Sequence, residues 1–396
     1  MTVKAGDVVQ LEITKVANGG FCIGRHDGQV VFVRHTAPGE IVRAEVTEIT
    51  KKFLRADTVE VLSAHPARIT PPCQYAGVCG GCDWQHLELS AQRELKSHVV
   101  REQLSHLGKV THIGEMPLDE FHVEALPDDD TGLHWRTRNR FTAIADMGVG
   151  LFMSRSHSVI EIEDCLIAES GAVALAHTAL AFASGDIQTV LTATGDHVVV
   201  DPRNGPMVEE KVLNRTWHIH AGSFWQVHKS APSTFVSAVR LFADLKQGDS
   251  LLDLYSGAGL FSASLAQDVG EDGEVVAVES SIDAVRDARR SCSDLPQLQL
   301  ITADVTKWLV ANENEEFDVV ILDPPRNGAG IENITRISQM AKRAIVYVAC
   351  EPSALARDTA ALAEYGWTMT GLRGFDAFPM TSHVECIALF MPDKVS

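Results

Sequence analysis

The residue with the most chemical promise in this chain is Cys350, in the run Ala344-Ile345-Val346-Tyr347-Val348-Ala349-Cys350-Glu351-Pro352-Ser353. Ile345 to Val348 have the β-branched and aromatic content of a strand covered on both faces. Pro352 suits a first helical turn, where no intrahelical N–H is lost. Cys350 is therefore expected at the carboxyl end of a strand and beside a helix N-terminus, whose partial positive charge favours thiolate over thiol. The competing reading is a small apolar residue finishing a core strand. A nucleophile needs companions, and the same part of the chain supplies carboxylates.

Ser250-Leu251-Leu252-Asp253-Leu254-Tyr255 reads as a strand, Ser256-Gly257-Ala258-Gly259 as a glycine turn, and Leu260 to Gln267 as a helix. The next strand, Glu274–Val278, ends in Glu279, which lies 279 − 253 = 26 positions beyond Asp253. Leu298–Thr302 leads to Asp304, Phe317–Leu322 leads to Asp323-Pro324-Pro325-Arg326, and Val346 to Cys350 is the fifth strand. Alternating strand and helix implies a parallel sheet covered on both faces. Each candidate group then stands at a strand's carboxyl end, where open α/β sheets bind ligands. Glu279 can accept hydrogen bonds from ribose hydroxyls; Asp304 suits an adenine amino group or a helix cap. The third glycine of the dinucleotide fingerprint is absent, so no pyrophosphate site is indicated. An adenosine cofactor without a diphosphate fits better, and S-adenosylmethionine is the obvious one.

A second constellation is Cys73-x5-Cys79-Gly80-Gly81-Cys82, three sulfurs in one tight loop that the glycines allow to curl. Cys165 is the best candidate for a fourth ligand, because Cys22 sits within a predicted barrel strand. Four cysteinyl sulfurs suit zinc or an iron–sulfur cluster, and spacing does not decide between them. A third is His134-Trp135-Arg136-Thr137-Arg138-Asn139-Arg140, where alternation puts Arg136, Arg138 and Arg140 on one strand face, as a basic RNA channel or a solvated edge.

The elements that must position these groups fall into three regions, at 1–65, 66–221 and 222–396. The first reads as five strands, Val8–Val16, Phe21–Gly24, Val30–Arg34, Ile41–Glu48 and Arg55–Leu62, with turns at Asn18-Gly19-Gly20, Asp27-Gly28 and Ala37-Pro38-Gly39. Five strands in that length suit a small closed barrel of the OB type. A stiff linker, His65-Pro66 and Thr70-Pro71-Pro72, precedes the cysteine loop. Leu89 to Leu107 reads as a helix capped by Ser90, with Leu95, Val99, Leu104 and Leu107 on one side. Residues 118 to 220 mix short antiparallel strands with one helix, Glu169–Ala183.

The 396 residues exceed one ordinary core, which agrees with that division. No run approaches the roughly 20 apolar residues of a membrane span. The start, Met1 to Asp7, has no apolar signal core, so a cytoplasmic protein without a membrane partner is expected, and its eight cysteines are not a disulfide framework. A net charge of −19 argues against indiscriminate coating of nucleic acid but leaves room for a local basic channel.

Asp323-Pro324-Pro325-Arg326, Tyr347-Val348-Ala349-Cys350-Glu351-Pro352 and His383-Val384-Glu385-Cys386 together resemble the S-adenosylmethionine-dependent RNA uracil-5-methyltransferases. The likeness covers nearly the whole chain, including the cysteine loop and Ser223-Phe224-Trp225-Gln226-Val227. It implies an amino-terminal TRAM barrel, a central α+β iron–sulfur and RNA-binding region, and a carboxyl-terminal Rossmann-like class I methyltransferase domain. It implies a [4Fe–4S] cluster on Cys73, Cys79, Cys82 and Cys165, cofactor contacts at Gln226, Tyr255, Glu279, Asp304 and Asp323, Cys350 as nucleophile and Glu385 as general base. It implies an RNA partner, ribosomal 23S before the transfer RNA T-loop, and a monomer. Ser256, Leu260, His228 and Glu351 depart from the family's usual cysteine, asparagine, asparagine and asparagine, which puts one polar cofactor contact, at Leu260, in question.

The chemistry supports the resemblance. Uracil C5 is too weak a nucleophile to attack a methyl sulfonium; thiolate addition at C6 makes an enolate reactive at C5. The C5 proton must then leave to a carboxylate, and a base within structured RNA must be flipped out to be reached. Rival readings are an amino-group methyltransferase, which needs no cysteine, a non-catalytic RNA-binding factor, and a redox sensor built on the cysteine loop.

Overall fold

The computed structural model describes residues 3–144, 148–181, 185–200 and 205–393. Strands β1 (Val8–Val16), β2 (Cys22–His26), β3 (Gln29–Arg34), β4 (Ile41–Ile49) and β5 (Phe53–Ser63) close into a barrel in the order β1-β2-β3-β5-β4. Alternation turns Val9, Leu11 and Ile13 inward; a register shift between Ile13 and Lys15 then lets Val16 point inward. Cys22 is fully buried in this core, away from the cysteine loop. The barrel is capped from outside by Trp84 and Val99. Arg68 of the linker bonds the buried Glu40 through Nε at 2.5 Å and Nη2 at 2.7 Å. That pair of hydrogen bonds ties the barrel to the segment leading into the cysteine loop.

Helix α1 (Leu89–His106) ends within a residue of its expected limits, but Glu88 rather than Ser90 is its N-cap, and Leu107 is exposed. Its buried face carries Gln92 and Lys96 besides Val99, Val100 and Leu104, because it packs on polar loop backbone as well as on apolar side chains. Lys96 Nζ, fully buried, donates to Asp376 Oδ1 at 2.5 Å and to the Phe378 carbonyl at 3.0 Å.

A short hairpin, β6 (His112–Ile113) and β7 (Met116–Pro117), and strand β8 (Val123–Ala125) come next. An antiparallel sheet of order β11-β10-β9-β12-β13 is built from β9 (Arg138–Ile144), β10 (Gly148–Phe152), β11 (Val159–Glu161), β12 (Asp186–Leu191) and β13 (His197–Val200), with α2 (Ala172–Thr178) against it. The helix expected over Glu169–Ala183 is thus shorter, and Phe182–Ser184 lie outside the described residues. The hairpin β14 (Met207–Val212) and β15 (Arg215–His220) completes this region.

The expected arginine stripe does not form a shared face. Arg138 is buried and pairs with Glu210 at 2.7 Å, Arg140 is exposed near Asp186, and Arg136 turns toward the cysteine loop. Only Arg138 and Arg140 belong to β9, so strand alternation never governs Arg136.

The last region holds α3 (Ala231–Ala243), β16 (Ser250–Leu254), α4 (Leu260–Leu265), β17 (Glu274–Glu279), α5 (Ile282–Ser291), β18 (Leu298–Thr302), α6 (Val305–Ala311), β19 (Phe317–Leu322), α7 (Ile331–Met340), β20 (Ala341–Ala349), α8 (Pro352–Glu364), β21 (Trp367–Asp376) and β22 (Glu385–Pro392). The sheet order is β18-β17-β16-β19-β20-β22-β21-β8, with the first five strands parallel and β22 antiparallel to both neighbours. Its last strand, β8, comes from the middle of the chain, so the sheet reaches across the boundary read at residue 222. Apolar clusters cover both faces, as the continuous β-branched runs require.

Candidate active site

The parallel strands deliver their carboxyl ends to one side. A cavity of ≈ 1540 Å³ opens there, lined by Tyr255, Gly257, Glu279, Asp323, Cys350 and Glu385, with Gln226 opposite. The pairing of Ala349 with Cys386 in the antiparallel ladder sets Cys350 opposite Glu385 one step further on. Directly opposed residues lie roughly 4.5–5.5 Å apart at Cα, so thiol and carboxyl share one corner. Asp323 follows β19, the other neighbour of β20.

Electrostatics corrects one expectation. Burial, reinforced by the Glu385 and Asp323 carboxyls and opposed by Arg326, pushes the Cys350 thiol up to about 12. The helix end beside it is capped by a carboxyl: Glu351 is the N-cap of α8 and accepts from Ser353 N–H at 3.3 Å and Ser353 Oγ at 2.8 Å. Glu385 is buried, its Oε2 has no partner among the described residues, and desolvation with help from Asp323 raises its pKa far above the carboxylate range. Burial and the Asp253 carboxyl push Asp323 up to about 7. A cationic ligand suits this corner, since it would favour the ionised form of both carboxyls and of the thiol.

The glycine turn is ready for a ligand. Tyr255, Gly257 and Gly259 all have positive φ, at 63°, 55° and 81°, and a Cβ on Gly257 would meet open space. Glu279 holds this turn by accepting from Gly257 N–H at 3.0 Å and from Ser281 N–H at 2.6 Å, which leaves lone pairs for ribose hydroxyls. Asn333 donates to the Tyr255 hydroxyl at 3.2 Å. Leu260 packs in the apolar cluster behind the turn and offers no polar contact. Asp304 is the N-cap of α6, accepting from Lys307 N–H at 3.0 Å, and is not among the residues lining the cavity.

Asp253, fully buried, accepts from Ser262 N–H at 2.9 Å and ties β16 to α4. Desolvation pushes its pKa up to about 7, Ser262 opposing and Glu279 adding to the rise. The folded state therefore holds this proton more tightly than the unfolded chain, and the associated stability is lost as pH rises from about 4 to about 7. The expected result for Asp253→Asn is a stability equal to the parent's near pH 4 and greater above pH 7, by an amount on the order of 4 kcal/mol, read as a higher melting temperature there. Parallel melting curves across that range would refute this.

Cys73, Cys79, Cys82 and Cys165 line a separate cavity of ≈ 220 Å³ with Arg136. Cys79 Sγ accepts from Gly81 N–H at 3.4 Å and Cys82 Sγ from Gln85 Nε2 at 3.2 Å. Burial raises the Cys79 and Cys165 thiols and pushes Cys82 up to about 12, around a space larger than a water. Among the described residues no three His, Cys, Asp or Glu side chains converge as a ready single-ion site.

Several groups line the active cavity that the sequence did not assign to it. Gly19 of the barrel and Gly80 and Gly81 of the cysteine loop join its wall, as do Phe378, Thr381, Ser382 and His383 between β21 and β22. Phe224 stands at the wall 74% exposed beside the buried Trp225. The contact of distant segments, which no local pattern encodes, put them there.

Comparison with known proteins agrees with this geometry. Residues 2–59 match the TRAM domain, 251–345 a methyltransferase domain, and 307–392 the tRNA (Uracil-5-)-methyltransferase family. An uncharacterized RNA methyltransferase of Streptomyces coelicolor is 39% identical, over 98% of this chain and 93% of its own. The 23S rRNA (uracil(1939)-C(5))-methyltransferase RlmD of Acinetobacter baylyi is 29% identical, over 92% of this chain and 89% of its own. The Pyrococcus abyssi tRNA (uracil-54, C5)-methyltransferase, solved with S-adenosyl-L-homocysteine, shares the fold with a TM-score of 0.72 at 22% identity, covering 96% of this chain and 99% of that one. These matches, together with an amino-terminal barrel, a glycine turn open to a ligand and a cysteine facing a glutamate where the parallel strands end, lead to one conclusion: this chain belongs to the TRAM-bearing RNA uracil-5-methyltransferases, enzymes that use S-adenosylmethionine.

Proposed function

We propose that this enzyme methylates C5 of a uridine in 23S ribosomal RNA through a covalent bond between Cys350 and C6. The observation that carries the proposal is the placement of Cys350 opposite Glu385 across the β20–β22 ladder, beside Asp323. Cys350 Sγ loses its proton to water and, as the thiolate, bonds C6; the C5–C6 π pair moves toward O4 as an enolate, which makes C5 nucleophilic. S-adenosylmethionine supplies the methyl group, with Glu279, Tyr255, Gln226 and Asp323 as its contacts. Glu385 then removes the proton from C5, and elimination frees Cys350. The raised pKa of Glu385 makes it a stronger base once ionised than an exposed carboxylate would be. A cationic donor beside Cys350 would favour its thiolate against the burial and carboxyls that raise the thiol's pKa.

Ribosomal RNA is favoured by the RlmD relative, whose likeness extends over 92% of this chain. The test is methyl transfer to 23S and transfer RNA transcripts side by side, with mapping of 5-methyluridine. Labelling of the T-loop alone would move the assignment to transfer RNA.

The four cysteines fit a [4Fe–4S] cluster: all line one pocket, N–H donors point at two of the sulfurs, and the arginine beside them balances negative charge. Bound there, the cluster would supply cross-linking of the loop to Cys165 and no step in catalysis. Protein purified without oxygen is expected to contain iron and acid-labile sulfide in equal amounts. Cys82→Ala should lose both and melt at lower temperature; full retention of iron would count against these ligands.

A further inference from the structure

The barrel's β1–β2 turn, Asn18-Gly19-Gly20, does not end in solvent. Asn18 Nδ2 donates to Glu351 Oε1 at 2.7 Å, joining the barrel to the residue that follows Cys350. The same oxygen accepts both Ser353 donors, so the N-cap of α8 is held partly by a residue 333 positions away. Gly19 lines the active cavity together with Cys350 and Glu385. Gly20, at φ +85°, lies so close to the opposite wall that a Cβ would fall 2.9 Å from Ser382.

Two anchors fix the turn. Trp84, sealing the barrel core, donates from Nε1 to the Gly20 carbonyl at 3.0 Å. Asp83, one residue before, accepts from Ser382 N–H at 2.9 Å, and the N–H groups of Asp83 and Trp84 both donate to the Met380 carbonyl. Barrel turn, cysteine-loop exit and the loop before Glu385 thus form one hydrogen-bonded seam along the cavity. Glu351 brings a carboxylate next to a thiol that must become an anion and near a substrate that is a polyanion. A donor that holds this carboxylate against the helix end removes part of that opposition.

We infer that the barrel completes the active site: its β1–β2 turn adds Gly19 to the wall of the base-accepting cavity, and Asn18 is a positioning residue that holds Glu351, and through it the Cys350 end of β20, in the reactive arrangement. The inference rests on the reading of Cys350 as nucleophile. It makes the barrel more than an RNA clamp, since any movement of the barrel on its RNA moves a bond beside the sulfur.

The test compares full-length parent, Asn18→Ala, Asn18→Asp and the double variant N18D/E351Q at saturating RNA and methyl donor. Single-turnover methyl transfer and covalent capture by a 5-fluorouridine transcript are both timed, and RNA affinity, donor affinity and melting temperature are measured in parallel. Asn18→Ala should slow both rates roughly tenfold, the order expected for a lost hydrogen bond to a charged group. Asn18→Asp should slow them further, because two carboxylates then meet. N18D/E351Q should restore the rate to within about threefold, since the glutamine amide now donates to the aspartate and the bond reforms with reversed polarity. Affinities and melting temperatures should stay near the parent's. Unchanged rates in both single variants, a loss confined to RNA affinity or to melting temperature, or no recovery in the double variant would each overturn the inference. Methyl transfer by the parent without any capture would instead count against Cys350 as nucleophile, while the methyl-transfer rates of the variants still judge Asn18.

Discussion

Cys350→Ala is expected to abolish methyl transfer, lowering the rate by roughly 10⁴-fold or more, the scale at which covalent nucleophiles fail when removed. The argument is one of reactivity. Without a bond to C6, the C5–C6 double bond keeps its electrons and no group in the cavity can make C5 attack a sulfonium. Positioning and the electrostatics of Asp323 and Glu385 remain, but they act on a reaction that no longer has its nucleophilic carbon. The substitution removes a single partly exposed sulfur at the end of β20, so the fold should persist and the melting temperature should change little. Cofactor binding should persist as well, because the glycine turn and Glu279 are untouched. The 5-fluorouridine transcript should form a denaturant-resistant adduct with the parent and none with the variant. An active Cys350→Ala enzyme would overturn the mechanism and favour transfer to an exocyclic nitrogen, which needs no thiol.

How much of this was legible in the sequence depends on whether the signal is local. The barrel strands were readable because apolar alternation is a property of each strand, and the register shift near Ile13 moved only its end. Glu279, Asp323 and Cys350 were readable because the parallel grammar places strand ends together before any contact is known. Strand β8 was not, since three residues carry no period. The ionisation of Cys350 was misjudged for a related reason. The helix beside it is a local feature, whereas the burial and the two carboxyls that keep the thiol neutral arrive from β22 and β19. The arginine run failed in the same way: Glu210, from a hairpin far along the chain, takes Arg138 out of any solvent-facing stripe. Asn18-Gly19-Gly20 was correctly a turn, but nothing in a turn announces that it meets Glu351.

Glu385→Gln should separate the two halves of the reaction. Glutamine keeps the size and position of the side chain, so the base should still enter and the donor should still bind. It cannot accept the C5 proton, and the methylated ring should therefore remain bound to Cys350 with no route to elimination. Turnover is expected to fall by roughly 10²- to 10⁴-fold, the range for loss of a general base. The distinguishing result is on ordinary uridine: label from the methyl donor should stay with the protein after denaturation, whereas the parent releases it. The first half should become easier rather than harder. The Glu385 carboxyl is one of the groups that push the Cys350 thiol up, so its replacement lowers that pKa, and the rate of adduct formation should rise at lower pH than in the parent. A variant that turns over normally, or one that forms no adduct at all, would show that the proton leaves C5 by another route or that Glu385 is needed to place the base. Retained label together with an adduct-formation profile displaced toward acid would tie both halves to one pair of side chains facing each other across β20 and β22.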